Sequence, residues 1–123
     1  MSHLPLSAEL QLQLGIPELP CADVAATRAW WCALLGFAVN HEDAGIAVLD
    51  REAVRVLLVA RTPERPGPGA CYLYVRDADA LHTELTARGA RPDGPPITRP
   101  WGLREFELRD SAGNRITCGQ PIE

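Results

Sequence analysis

The chain has 123 residues, 46% hydrophobic and 23% charged, the balance of an ordinary globular protein and not of a disordered tail or collagen-like repeat. Acidic residues outnumber basic ones 16 to 12, a formal charge of −4, which offers no general attraction to phosphate backbones and sets nucleic-acid binding aside. Every basic residue is arginine, so Schiff-base and Walker-type lysine chemistry are closed.

In chain order, residues 12–22 (LQLGIPELPCA) read as a strand with prolines near its end. Asp23 then caps a helix through VAATRAWWCALL that ends at Gly36, the residue type that closes helices in the left-handed conformation. Its apolar stripe is expected on Ala26, Trp30, Ala33 and Leu34, with Trp31 and Leu35 on the flank. Short strands FAVNHE and GIAVLD follow, then a turn at Arg51-Glu52 and the strand VRVLLVA. RTPERPGPG, residues 61–69, is a linker by its prolines and glycines. Residues 70–76 (ACYLYVR) open a second copy of the same order. Asp77 caps a helix with Ala78, Leu81 and Leu85 on its apolar face, ending at Gly89. A short ARP segment, a Pro-rich loop, REFELRD, a turn at Ser111–Asn114 and RITCG complete it. The distance from capping aspartate to closing glycine agrees between the copies to within one residue. Strand–helix–strand–strand–strand is therefore written twice. This implies an α+β fold of two βαβββ modules, at about 10–60 and 70–120, forming one domain over 1–123. A single module buries too little surface to stand alone, so the modules must pack together within a chain or between chains.

Cys21, Cys32, Cys71 and Cys118 include no C-x-x-C pair, and the N-terminus has neither a basic start nor a long unbroken apolar run. No stretch approaches the roughly 20 apolar residues needed to cross a bilayer. Reduced cysteines in a cytoplasmic protein without a membrane partner are the expectation. No G-x-S-x-G or G-x-G-x-x-G occurs. Of His3, His41 and His82, only His41, in the strand NHED, stands out as a functional candidate, and no second histidine accompanies it at ligand spacing. Period-2 alternation puts Phe106 and Leu108 under a helix and Glu105 and Glu107 on the open face, where the two carboxylates are either a solvated strand face or an acidic cavity wall.

The segment PWGLREFELRDSAGN at 100–114 resembles the signature of bleomycin-resistance proteins and their relatives in the glyoxalase I/extradiol dioxygenase, or vicinal-oxygen-chelate, superfamily. Asp23-Val24, Trp30-Trp31 and Leu34-Leu35-Gly36-Phe37 are similar to a second motif of that superfamily, and the likeness covers residues 12–120. It implies paired modules with curved mixed sheets forming a cup, helices outside, and a homodimer with module exchange through 61–69. The superfamily's metal positions fall on Ile16, the aliphatic strand Val54–Ala60, Cys71 and Thr117, which is not a divalent donor set, so no metal or other cofactor is expected. By the same resemblance Trp101 supplies a stacking plane for a planar ligand, and Ile46 stands where a facing aromatic is expected. Cys71, Leu73 and Val75 are expected to point into the cup and Tyr72 and Tyr74 to pack under a helix. Glu18 and Ile16 belong on the wall facing Trp101, Glu105 and Glu107. The implied function is metal-independent sequestration of a small, planar, cationic, antibiotic-like molecule. An enzyme of the same superfamily using Cys71 or His41, and a partner-binding module that lost its ligand, stay open as alternatives.

Overall fold

The computed structural model describes residues 1–122. Its first half runs β1 (Glu18–Cys21), α1 (Val24–Leu35), β2 (Ala38–Glu42), β3 (Ile46–Arg51) and β4 (Val54–Ala60). The second half runs β5 (Ala70–Tyr74), α2 (Ala78–Ala87), β6 (Ile97–Thr98), β7 (Leu103–Arg109) and β8 (Arg115–Pro121). Each half makes its own four-stranded mixed sheet, ordered β1-β4-β3-β2 and β5-β8-β7-β6. In both, the first strand runs parallel to the last and the remaining pairs are antiparallel. The duplicated α+β architecture expected from the sequence is present.

The local signals work as their chemistry dictates. The Asp23 carboxylate accepts from the amide of Ala26, and that of Asp77 from the amide of Ala80, both at 3.0 Å. Gly36 closes α1 at φ 71°, where a side chain would be strained. Three expectations shift. Pairing of β1 begins only at Glu18, after Pro17, which has no N–H to give a ladder, and Leu12 is 89% exposed. No strand forms at ARP; with Pro92, Pro95 and Pro96 withdrawing donors, pairing waits for Ile97. The buried face of α1 is Val24, Thr27, Trp31 and Leu35, one position away from the expected stripe, while Ala26 and Ala33 face outward. The pattern misleads because alanine counts as apolar in any direction, whereas the indole of Trp31 has a buried partner to reach.

That partner binds the two halves together. Trp31 Nε1 donates to Asp110 Oδ2 at 2.9 Å, from α1 to the turn between β7 and β8. Asn114, fully buried, donates through Nδ2 to the Pro20 carbonyl and to Asp110, and its Oδ1 accepts from the Gly69 amide. From the other side, Arg51 at the β3–β4 turn reaches Glu84 on α2 with two hydrogen bonds, 2.7 and 3.0 Å. No buried side-chain nitrogen or oxygen among the described residues lacks a partner. One hydrophobic core runs through both halves. It takes Leu19, Leu49, Val56 and Leu58 from the face of the first sheet under α1, and Phe106, Leu108, Ile116 and Cys118 from the face of the second under α2. The helix-covered faces thus share the core; of the opposite faces, that of the second sheet is largely exposed, whereas on that of the first Pro20, Val48 and Val59 are buried.

Candidate functional site

Strand register fixes which side chains share the open face of the second sheet. Phe106 pairs with Cys118 and Leu108 with Ile116, all buried, so their neighbours Glu105, Glu107 and Thr117 point the other way. In β5, Cys71 pairs with the fully buried Ile116, and Tyr72 pairs with Thr117. This reverses the expectation for that strand. Cys71, Leu73 and Val75 pack against the core, whereas Tyr72 and Tyr74 stand on the open face, 43% and 72% exposed. A shift of one residue moves every side chain of a strand across the sheet, and the alternation C-Y-L-Y-V, apolar in either phase, could not exclude it. Burial pushes the Cys71 thiol up to about 11 and that of Cys118 up to about 12. Cys71 is therefore a neutral core residue, unsuited to nucleophilic work at neutral pH.

On the open face the aromatic residues gather around Glu105. The Tyr72 hydroxyl donates to Glu105 Oε2 at 2.6 Å, and Trp101 Nε1 to the same oxygen at 3.5 Å. Arg99 Nε approaches Oε1 at 3.4 Å, with its guanidinium carbon 5.7 Å from the Trp101 ring centre. Gly119 makes this arrangement possible, because a Cβ there would collide with the Tyr72 ring lying over it. Burial and the Glu105 carboxylate push the Tyr72 phenol above its ordinary value, which keeps it a donor. Tyr72 and Tyr74 meet edge to face, and with Leu103 they line a shallow depression of about 430 Å³. Trp101, 62% exposed, stands free of the core at the rim. Glu107 lies 4.0 Å from both Arg109 and Arg115. Both carboxylates thus have guanidinium neighbours, and the surface is aromatic and charge-compensated more than acidic.

The face of the first sheet opposite α1 is different, with Pro20, Val48 and Val59 buried on it. Glu18, Leu57, Val48 and His41 lie in one cross-strand row, and Pro20, Val59 and Ile46 in the next row of the same face. Glu18 and Ile46 share this face, and Ile16 precedes it at the exposed approach to β1. His41 follows a bulge in β2, and its ring nitrogen Nε2 lies 3.4 Å from Asp43 Oδ2. Asp50, Arg55 and Asn40 form a polar cluster that holds the backbone of Ser2. The Arg55 guanidinium keeps the Asp50 carboxyl below the usual carboxylate range. His82 is structural: it packs edge-on to Phe106 and bonds the Gly94 carbonyl. No three His, Cys, Asp or Glu side chains converge among the described residues.

A sequence-family model described as Glyoxalase/Bleomycin resistance protein/Dioxygenase superfamily matches residues 13–117. The chain belongs to this superfamily. A bleomycin resistance protein of Geobacillus stearothermophilus is 27% identical over 128 residues, covering 89% of this chain and 97% of that protein. The bleomycin-binding protein of bleomycin-producing Streptomyces verticillus, solved with copper(II)-bleomycin, superposes with a TM-score of 0.77 at 29% identity, over 93% of this chain and 99% of that one. A lactoylglutathione lyase of Agrobacterium tumefaciens shares the fold, with a TM-score of 0.73 at 18% identity over 90% and 96% of the two chains. The residues expected to act divide into two sets. Trp101, Glu105 and Glu107 come together on the second sheet; Ile16, Glu18, Ile46 and His41 belong to the first. Neither the depression beside Tyr72 and Tyr74 nor the cavity lined by Leu81 and Leu85 joins them. Sequence reading missed Tyr72, Tyr74 and Arg99. The signal that could have found the tyrosines is Gly119, whose missing side chain, two residues beyond Thr117, leaves room for a ring.

Proposed function

We propose that this protein binds and sequesters a small planar molecule without a metal, as a homodimer in which the open face of one chain's first sheet meets the open face of its partner's second. The observation that carries this reading is the aromatic surface of Trp101, Tyr72 and Tyr74, left uncovered on a sheet whose other face turns toward α2 and the core. Within one chain the two open faces lie on opposite sides of a shared core, so a second copy supplies the missing wall. The relatives named for bleomycin resistance and bleomycin binding support a ligand of that type. The roles divide simply: Trp101 stacks, Tyr72 and Glu105 fix the ligand's polar edge, and Ile46 and Glu18 form the opposing wall. Because Arg99, Arg109 and Arg115 stand beside the carboxylates, planarity selects the ligand more strongly than positive charge does. The superfamily's metal positions carry Ile16, aliphatic residues of β4 and Thr117, and Cys71 is turned into the core, which supports binding over metal-assisted chemistry. The test is thermal unfolding with bleomycin and other planar antibiotics, alongside light scattering. A dimer is expected, with a ligand at 100 times its Kd stabilising it by about 2.7 kcal/mol. A monomer at micromolar concentration that no such compound stabilises would reject the reading.

A further inference from the structure

The geometry points to a second ligand site, for a neutral apolar molecule of about bicyclic aromatic size, in a cavity between the two halves on the helix side. The cavity holds about 380 Å³ and lies on the helix-covered face of the second sheet, away from Trp101 and Tyr72, with Tyr74 bordering it at the end of β5. Leu73, Leu108, Ile116 and Cys118 make its floor, and Leu81 and Leu85 of α2 one wall. Leu35, Phe37 and Val54 of the first half close the other. None of these side chains is charged, and the cavity stays within the lower range of small-molecule pockets. An apolar cavity less than half this size stays dry and takes benzene. The rim carries Arg51, Glu52, Arg76, Asp77 and Glu84; Arg51 and Glu84 bond each other twice, Glu52 lies 3.5 Å from Arg51, and Asp77 caps α2.

The duplication shows that this space is specific to one half. Counted from the capping aspartates, Leu81 and Leu85 of α2 correspond to Thr27 and Trp31 of α1. At the corresponding place in the first half, Trp31 is fully buried, Thr27 nearly so, and the indole fills the space up to Asp110. Leucine at position 85 leaves that volume empty. The wall across from it includes Glu52, held at φ +50° in the β3–β4 turn, a conformation seldom adopted by a side-chain-bearing residue. The same fold thus offers a filled and a hollow version of one contact, and only the hollow version can admit a ligand.

Titration of the full-length protein with the neutral fluorophore N-phenyl-1-naphthylamine tests this. Saturable, blue-shifted emission is expected from the native chain. Leu85→Trp, which copies the filled half, and Ala80→Leu, which intrudes from the outer side of α2, should each weaken it at least tenfold. The second substitution keeps the test valid if the first disturbs folding. Trp101→Ala should leave probe binding in place, which separates this site from the open face. No saturable signal, a signal that survives both filled variants, or one lost in Trp101→Ala would each overturn the proposal.

Discussion

The two halves of this chain share a topology and use it in opposite ways. In the first, the helix side is solid: Trp31 occupies the interface with the other half and hydrogen-bonds Asp110, while the opposite face is aliphatic, with Leu57 half-buried and Val48 and Val59 buried. In the second, the helix side is hollow beside Leu85, while the open face carries Tyr72, Tyr74 and Trp101. Backbone pairing and helix capping are conserved between the copies because they depend on a few residues of fixed type. Cavities and stacking surfaces depend on side-chain volume, which is free to diverge once the frame is set. Duplication therefore supplies the scaffold twice and leaves each half its own chemistry.

The most severe way to break the contrast is to hollow the solid half. Trp31→Leu copies the residue of α2 at the matching position and removes the indole donor from Asp110. We expect a loss of about 2–4 kcal/mol, as for large-to-small core substitutions, read from the denaturant midpoint at unchanged m-value. A loss below about 0.5 kcal/mol would mean that the first half does not depend on this packing. The open faces give the next largest effect. Trp101→Ala should weaken a planar ligand by about 1–3 kcal/mol in calorimetry and leave the dimer intact. If the variant instead raises the dimer dissociation constant and lowers the melting temperature of the free protein, Trp101 plugs an interface and does not stack on a ligand.

How much of this contrast is legible in sequence follows from the range of the forces involved. Asp23, Gly36, Asp77 and Gly89 announce two helices because capping is settled within a few residues of the chain. Glu105 and Glu107 are placed correctly because Phe106 and Leu108 between them leave only one apolar phase. Tyr72 has no such guide: the core-facing phase of β5 is set by its pairing with β8, more than forty residues away. The stripe of α1 is misread for a related reason, since the partner that draws Trp31 inward, Asp110, belongs to the other half. The hollow beside Leu85 is legible only after the two helices are superposed, when leucine is seen in the place of tryptophan.

A smaller effect tests the two contacts that cross between halves. Both contacts end on a carboxylate, Trp31 on Asp110 and Arg51 on Glu84. Hydrogen bonds from Arg51 and then Arg88 hold Glu84 below the usual carboxylate range. A depressed folded value means that this stability is present above the unfolded pKa, near 4.3, and is lost as pH falls through the folded value. Because the Glu84 side chain is 37% exposed, screening limits the contribution to about 0.5 kcal/mol. Arg51→Met should therefore lower stability at pH 7 by about that amount and flatten the curve below roughly pH 4. An unchanged acid limb in the variant would show that the bridge contributes nothing to the association of the halves.

The smallest effect concerns charge on the aromatic face, where the first half has Glu18 beside Arg65 at 3.3 Å and the second has Glu105 and Glu107 among three arginines. If the open faces enclose a cationic ligand, converting both second-half carboxylates to glutamine removes two negative charges and leaves Arg99, Arg109 and Arg115 in place. The charge-compensated geometry predicts a modest result. Glu105→Gln combined with Glu107→Gln should weaken a cationic planar ligand by about 0.5 kcal/mol at low ionic strength, and by less at physiological salt, where charges more than about 8 Å apart are screened. A neutral planar ligand should lose nothing beyond what the altered Tyr72 hydrogen bond costs, and Glu105→Gln alone isolates that contribution. Loss of several kcal/mol that persists in high salt would mean that the carboxylates touch the ligand directly, with the arginines displaced on binding. Unchanged affinity at every ionic strength would make Glu105 a positioning group for Tyr72 and Glu107 a solvated strand residue.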